Sequence, residues 1–246
     1  MTQPELLYGV AAAAANVIGA VAVASRTTWT LRALDALLSF AAGFLISVSV
    51  IDLFPESIAV AGPIAPVVVL LAYLLVHLTQ HTIGRHFHFG EETHSGALLE
   101  PAAAYLAIIG LGVHTVFDGV AIAAGFMVAR VLGVLLFFAV LLHKVPEGFT
   151  VASIVLASGR SRGAALLAGC ALGLLTFVGA VATSLLAGPH VGYALALSAG
   201  VTIYVAASDL IPEVNREGGP ALAWTVFGGL VLFACADWAL ARFGLE

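Results

Sequence analysis

The sequence predicts an all-α protein that crosses a lipid bilayer many times, and three observations carry that expectation. Apolar residues make up 61% of the 246 positions and charged residues 9%, far from the mix of an ordinary soluble domain. The apolar residues come in runs of about 20 or more, the length a helix needs to cross a hydrocarbon core of roughly 30 Å. The remaining charges sit mostly at the ends of these runs or inside them, so the net charge of −5 says little about partners. No nucleic-acid partner is expected; the bilayer itself is the main one.

Punctuation by charge, Pro and Gly divides the chain into eight predicted spans, at about 5–25, 33–54, 62–84, 102–128, 131–157, 163–187, 190–212 and 220–241. The first follows Met-Thr-Gln-Pro-Glu without a basic stretch, so it reads as a retained helix and not as a cleaved signal peptide. The second and seventh each end in an acidic, Pro-containing exit. The fourth and fifth each carry a His and an acid inside the apolar run. Connections are short, and the longest, about 84–100, is the one sustained polar stretch. A single integral membrane domain over 1–246 is the expected organisation. Cys170 and Cys235 fall in separate apolar segments and imply neither a disulfide framework nor a CxxC metal site.

Cytoplasmic loops carry an excess of Lys and Arg. Arg26, Arg32, Arg85, Arg160, Arg162 and Arg216 fall on one side of the predicted spans, Arg130 and Arg242 on the other, and Lys144 within a span. With eight spans, that bias predicts a multi-pass protein with both termini outside the cytoplasm.

A repeat runs through the chain. AGFLISVSVIDLFPES, from Ala42, matches AGVTIYVAASDLIPEV, from Ala199, at a constant offset of 157. Asp52 aligns with Asp209 and Glu56 with Glu213. Five crossings lie between the copies, so they run in opposite directions through the bilayer. Transporters use such inverted repeats to set one site between two gates. The alternative is a shared, Pro-terminated helix exit with no common ancestry.

The middle of the chain holds a second matching pair. His114-Thr-Val-Phe-Asp118-Gly119 and His143-Lys-Val-Pro-Glu147-Gly148 both read His-x-x-x-acid-Gly. Residues four apart share a helix face, with Cβ atoms about 5–6 Å apart. If the two helices face each other, His114, Asp118, His143 and Glu147 form an N₂O₂ cage. Carboxylates inside a span cost on the order of 2.5–3.5 kcal/mol each, so a compensating cation is expected. Two imidazoles and two carboxylates suit Zn²⁺ and tolerate Fe²⁺, Mn²⁺, Co²⁺ or Cd²⁺. The alternative is a pair of hydrogen-bonded packing histidines. Pro146 crowds the Leu142 carbonyl and predicts a bend beside the site.

These motifs resemble those of the ZIP (Zrt/Irt-like) family of metal transporters over nearly the full chain. The resemblance implies uptake of zinc or related divalent ions into the cytoplasm across the cell membrane. It also implies inverted three-helix repeats (helices 1–3 and 6–8) around a central helix 4/5 pair, and a homodimer. The metal is substrate, and no cofactor is expected. Carried over by position, His114, Asp118, His143 and Glu147 form the transport site. Asp52 and Glu56 lie toward the outer mouth, Asp209 and Glu213 toward the inner one, as carriers of the ion or as capped helix ends. Relatives with two adjacent metals carry Asn after the first His and an acid after the second. Here those places hold Thr115 and Lys144, which implies one metal, with Lys144 beside the carboxylates or snorkelling to the interface. The predicted cytoplasmic loop holds His86, His88 and His94, preceded by His77 and His81, and is expected to capture metal weakly or to be a solvated loop with chance histidines.

The rival reading from another class is an intramembrane zinc hydrolase, in which a metal activates water. The chain has no HExxH, and the repeat is unnecessary to such an enzyme. No P-loop is present, so nothing suggests that ATP drives the process.

Overall fold

A bilayer interior offers no water to backbone N–H and C=O groups, so a spanning segment satisfies them within itself, as a helix does. The computed structural model describes residues 4–25, 31–82, 101–185, 189–212 and 220–242, and every regular element among them is helical. The α-helices are α1 (Pro4–Ala24), α2 (Leu31–Val48), α3 (Phe54–Ala61), α4 (Ala65–Thr82), α5 (Pro101–Val128), α6 (Arg130–Ala157), α7 (Arg162–Ser184), α8 (Pro189–Tyr204) and α9 (Pro220–Arg242).

Seven stretches among the described residues are long and apolar enough to cross a membrane, which makes this a multi-pass membrane protein. One of them, Ala36–Thr82, takes in both the second and the third predicted spans. Its 47 residues would reach roughly 70 Å as a straight helix, more than twice a hydrocarbon core. The chain breaks at Gly62, whose φ of +74° ends α3, and a 3₁₀ turn (Gly62–Ile64) leads into α4. Both α3 and α4 then pack on α8. The break comes about eight residues later than the predicted end at 54, because a π turn accommodates the Pro55 ring and the chain stays helical through α3. Pro146 likewise ends nothing: α6 is helical from Arg130 through Ala157.

Two π-helical turns break the regularity of the long helices. Ser49–Leu53 joins α2 to α3, and Val205–Leu210 follows α8. In each, the residue before the proline donates its N–H five residues back, Phe54 to Ser49 and Ile211 to Ala206. A proline ring crowds the carbonyl four residues before it, and a wider turn accommodates the ring. The two turns sit at corresponding places of the sequence repeat and contain Asp52 and Asp209.

The helices pack in reciprocal pairs. α9 lies on α2 as α4 lies on α8, and α1 lies on α6 as α7 lies on α5. A Cβ on Gly43 would overlap the Val226 carbonyl, and one on Gly200 would overlap the Val69 carbonyl; both glycines and both valines are related by the 157-residue offset. Around the centre, Gly148 meets the Asn16 carbonyl and Gly119 the Thr176 carbonyl. Such approaches let backbones touch where membrane helices gain their packing.

The polarity of the bundle is turned outside in. Trp224, Trp238, Leu7 and Leu167 are exposed, while His114, Thr115, Asp118, His143, Lys144 and Glu147 are buried. That is the distribution of a protein solvated by lipid, where intramembrane charges face the bundle interior.

The backbone contacts generate a prediction. Gly200→Ala should cost about 1–3 kcal/mol, because a carbonyl in a packed helix cannot withdraw. Gly110, with nothing within 4 Å of its would-be Cβ, should tolerate Ala without loss. Thermal unfolding of the two variants in detergent would measure the difference.

Candidate metal centre

α5 and α6 run side by side and aim their motifs at each other. The four-residue spacing puts His114 one turn from Asp118 and His143 one turn from Glu147. One candidate ligand atom from each of the four lies within 4.8 Å of all the others, and all four residues are buried. The sequence-read cage is therefore assembled in space, and the donor set suits a divalent metal.

His143 is the best-defined member. Its Nδ1 lies 3.0 Å from the Ala139 carbonyl, which only accepts, so Nδ1 carries a proton and Nε2 is the ring atom turned inward. That Nε2 is 3.4 Å from Asp118 Oδ2. A ring nitrogen and a carboxylate oxygen thus face the same point, an arrangement that suits a metal cation. His114 Nε2 lies 3.4 Å from Glu147 Oε2 and 3.9 Å from Asp118 Oδ2.

Lys144 does not snorkel. It is fully buried, with Nζ 2.7 Å from Asp118 Oδ2 and 2.5 Å from Glu147 Oε2. A buried ion pair is tolerable only where good geometry repays desolvation, and here one ammonium serves two carboxylates. The other oxygen of Glu147 is held by neutral donors: Thr115 Oγ1 at 2.5 Å and Asn16 Nδ2, from α1, at 3.4 Å. Asn16 escaped the sequence reading. Its signal was present, a single amide in the run Ala-Ala-Ala-Ala-Ala-Asn-Val-Ile-Gly, since a lone polar group in a span needs a partner.

The remaining candidates lie elsewhere. Asp52 and Glu56 line a cavity of about 240 Å³ together with Asp237 of α9, which the sequence did not single out. Asp209 is buried and accepts a hydrogen bond from Gln80 Nε2 at 3.0 Å. His77 and His81 stand exposed near the end of α4, ring centroids 4.1 Å apart. Glu213, His86, His88 and His94 lie outside the described residues.

A bundle of this kind, with a buried imidazole and carboxylate cluster between two central helices, defines a multi-pass membrane protein with a site fit for a metal ion. The chain belongs to the ZIP zinc transporter family: the family's model, described as ZIP Zinc transporter, matches residues 88–236, more than half of the chain. It is 37% identical over 140 residues to zinc transporter SLC39A7 of Rattus norvegicus, covering 53% of this chain and 30% of that protein. The human protein of the same name is 38% identical over 128 residues, covering 48% of this chain and 27% of that one. Zinc transporter ZIP9 of Micropogonias undulatus is 29% identical over 160 residues, covering 61% of this chain and 51% of that protein. The chain thus spans under a third of the SLC39A7 relatives and about half of the ZIP9 relative. The family is one of transporters and not of enzymes, which removes the zinc-hydrolase alternative.

The supports of Glu147 lead to the second prediction. Asn16→Ala and Thr115→Val leave all four candidate ligands in place but release one carboxylate oxygen. Each should weaken Zn²⁺ or Cd²⁺ binding by the purified protein about 10-fold to 100-fold, the range seen when groups that orient a ligand are lost. Calorimetric titration would read it.

Proposed function

We propose that this chain carries divalent transition-metal ions, zinc before iron, manganese, cobalt or cadmium, across the membrane into the cytoplasm, with His114, Asp118, His143 and Glu147 holding the ion in transit. The observation that carries the reading is the convergence of four ligand atoms within 4.8 Å in a buried site. The names of the relatives, each a zinc transporter, favour zinc among the ions this donor set accepts.

Ala36–Thr82 supplies two crossings in this proposal, giving eight spans in a single domain. Helices 1–3 and 6–8 form inverted repeats around the α5/α6 pair. The reciprocal glycine approaches and the paired π turns support that symmetry, because unrelated capped exits would have no reason to share packing partners. One site between two interchangeable ends is the arrangement of alternating access. Asp52 and Glu56 then lie at the outer mouth, and Asp209 and Glu213 at the inner one. The arginine bias sets both termini outside the cytoplasm. The histidines of the loop, His86, His88 and His94, with His77 and His81 before it, are proposed to capture metal on the cytoplasmic side. A homodimer in the cell membrane completes the proposal and rests on the family resemblance.

Lys144 sets the stoichiometry proposed for the site at one ion. Its ammonium contacts the same two carboxylate oxygens that face the histidines, and its charge repels a second dication.

Two outcomes are expected. His143→Ala and Glu147→Ala should each lose most Zn²⁺ uptake into vesicles at unchanged expression, since each removes one ligand and leaves its partners unpaired in a dry site. Near wild-type uptake by both would make the cluster structural. Anomalous scattering from Cd²⁺-soaked crystals should locate one ion per site in the native protein and a second in Lys144→Asp. Two full-occupancy ions about 3.5–4 Å apart in the native protein would overturn the one-ion reading.

A further inference from the structure

Gln80 is a polar side chain that the transport site leaves unused. It lies near the C-terminal end of α4, and the two ends of its amide are both engaged. Nε2 donates to Asp209 Oδ2 at 3.0 Å, and Oε1 accepts from the Tyr204 hydroxyl at 3.1 Å. The neighbours fix which way the amide points. A carboxylate only accepts, so in the flipped amide two oxygens would face each other. Tyr73 Oη and Ser208 Oγ, 2.8 Å apart, add another tie along the same seam between α4 and the end of α8. The Tyr73 ring meets Tyr204 edge-on, with centroids 5.1 Å apart. Tyr204 and Asp209 are buried and Gln80 half-buried, so these bonds are partly shielded from water, which raises the cost of breaking them without replacement.

The opposite end of the bundle is built on the same backbone with different chemistry. Asp52 corresponds to Asp209, and the same 157-residue offset carries Gln80 onto Asp237. The correspondence is structural as well, since Gly43 touches Val226 of α9 as Gly200 touches Val69 of α4. Gln80 therefore stands to Asp209 as Asp237 stands to Asp52. Where one end has an amide donating to a carboxylate, the other has two carboxylates, which with Glu56 line a cavity of about 240 Å³. Ionised carboxylates repel and share no hydrogen bond. The two ends of the repeated frame thus differ in sign, with an attraction between side chains at one and a repulsion at the other.

We propose that Gln80 is the latch of the Asp209 end: its amide ties α4 to the π turn after α8, and the pathway opens on that side only when the bonds to Asp209 and Tyr204 part. Gln80 is a positioning residue in this role, acting on the seam and not on the ion. The latch takes the existence of a pathway from the transport reading above, and its test is independent of any metal.

A cysteine placed at Thr115, with Cys170 and Cys235 replaced by Ala, reports access to the centre through its reaction with a small membrane-impermeant thiol reagent applied to either face of vesicles. Gln80→Glu is nearly isosteric and sets a carboxylate against Asp209. It should speed labelling from the Asp209 face about 10-fold or more, the factor expected for losing a hydrogen bond to a charged group. Gln80→Lys offers Asp209 an ammonium and should label at or below the parent rate. Tyr204→Phe keeps the ring packing, removes one tie and should fall between parent and Gln80→Glu. Equal acceleration by Glu and Lys would assign Gln80 to packing alone and overturn the latch, as would an unchanged rate in both Gln80→Glu and Tyr204→Phe. Unchanged labelling leaves the metal reading standing, and normal uptake by His143→Ala would leave the latch standing, so the two fail separately.

Discussion

Two carboxylates buried in a lipid-solvated bundle are the constraint on which the rest of this protein depends. Asp118 and Glu147 are 5% and 0% exposed, and neither can be charged there without cations and donors arranged around it. The surrounding structure answers that demand atom by atom. Lys144 bridges one oxygen of each acid, the imidazoles of His114 and His143 approach the same oxygens, and Thr115 and Asn16 hold the other oxygen of Glu147. The glycines that follow the two acids belong to the same solution. Gly119 and Gly148 each admit a carbonyl of a flanking helix, which brings α7 and α1 against the central pair and, with α1, the Asn16 amide.

The charge count of this cluster bears on the proposed transport. Two carboxylates and one ammonium sum to a single negative charge, which a dication held there would turn positive by one. A site that held a dication with both carboxylates and no internal cation would bind more tightly and release more slowly. Carriers need an ion bound firmly enough to be selected and loosely enough to leave. In the transport proposed above, Lys144 would work in that direction, by sharing the carboxylates that a metal would otherwise hold alone.

The reciprocal packing constrains motion as well as architecture. Because α2 packs on the π turn after α8, and α8 on the π turn after α2, each half of the repeat helps to cover the other half's turn. A π turn has one residue too many for the regular ladder, and Asp52 and Asp209 each sit within one. Matching frames with unlike side chains, Gln80 at one end and Asp237 at the other, would give the two ends of the proposed pathway unequal closing forces.

The sequence by itself determined the helical class, the run of spans, the repeat and the four candidate ligands. The reason is that each of these is a pattern local to one helix. Apolar run length follows from bilayer thickness, and His-x-x-x-acid fixes two side chains on one face whatever lies opposite. It left open whether Lys144 pointed at the acids or toward the interface, because both conformations fit the same helix. It placed the second helix boundary too early at Pro55, since a proline that ends a helix and one that a π turn accommodates read alike. Asn16, Gln80 and Asp237 were decided by tertiary structure alone. Each acts on a residue of another helix far away in the chain, Asn16 on Glu147 and Gln80 on Asp209 through hydrogen bonds, and Asp237 beside Asp52 in one cavity. Periodicity specifies which face a side chain occupies; only the packing of one helix on another specifies what that face meets.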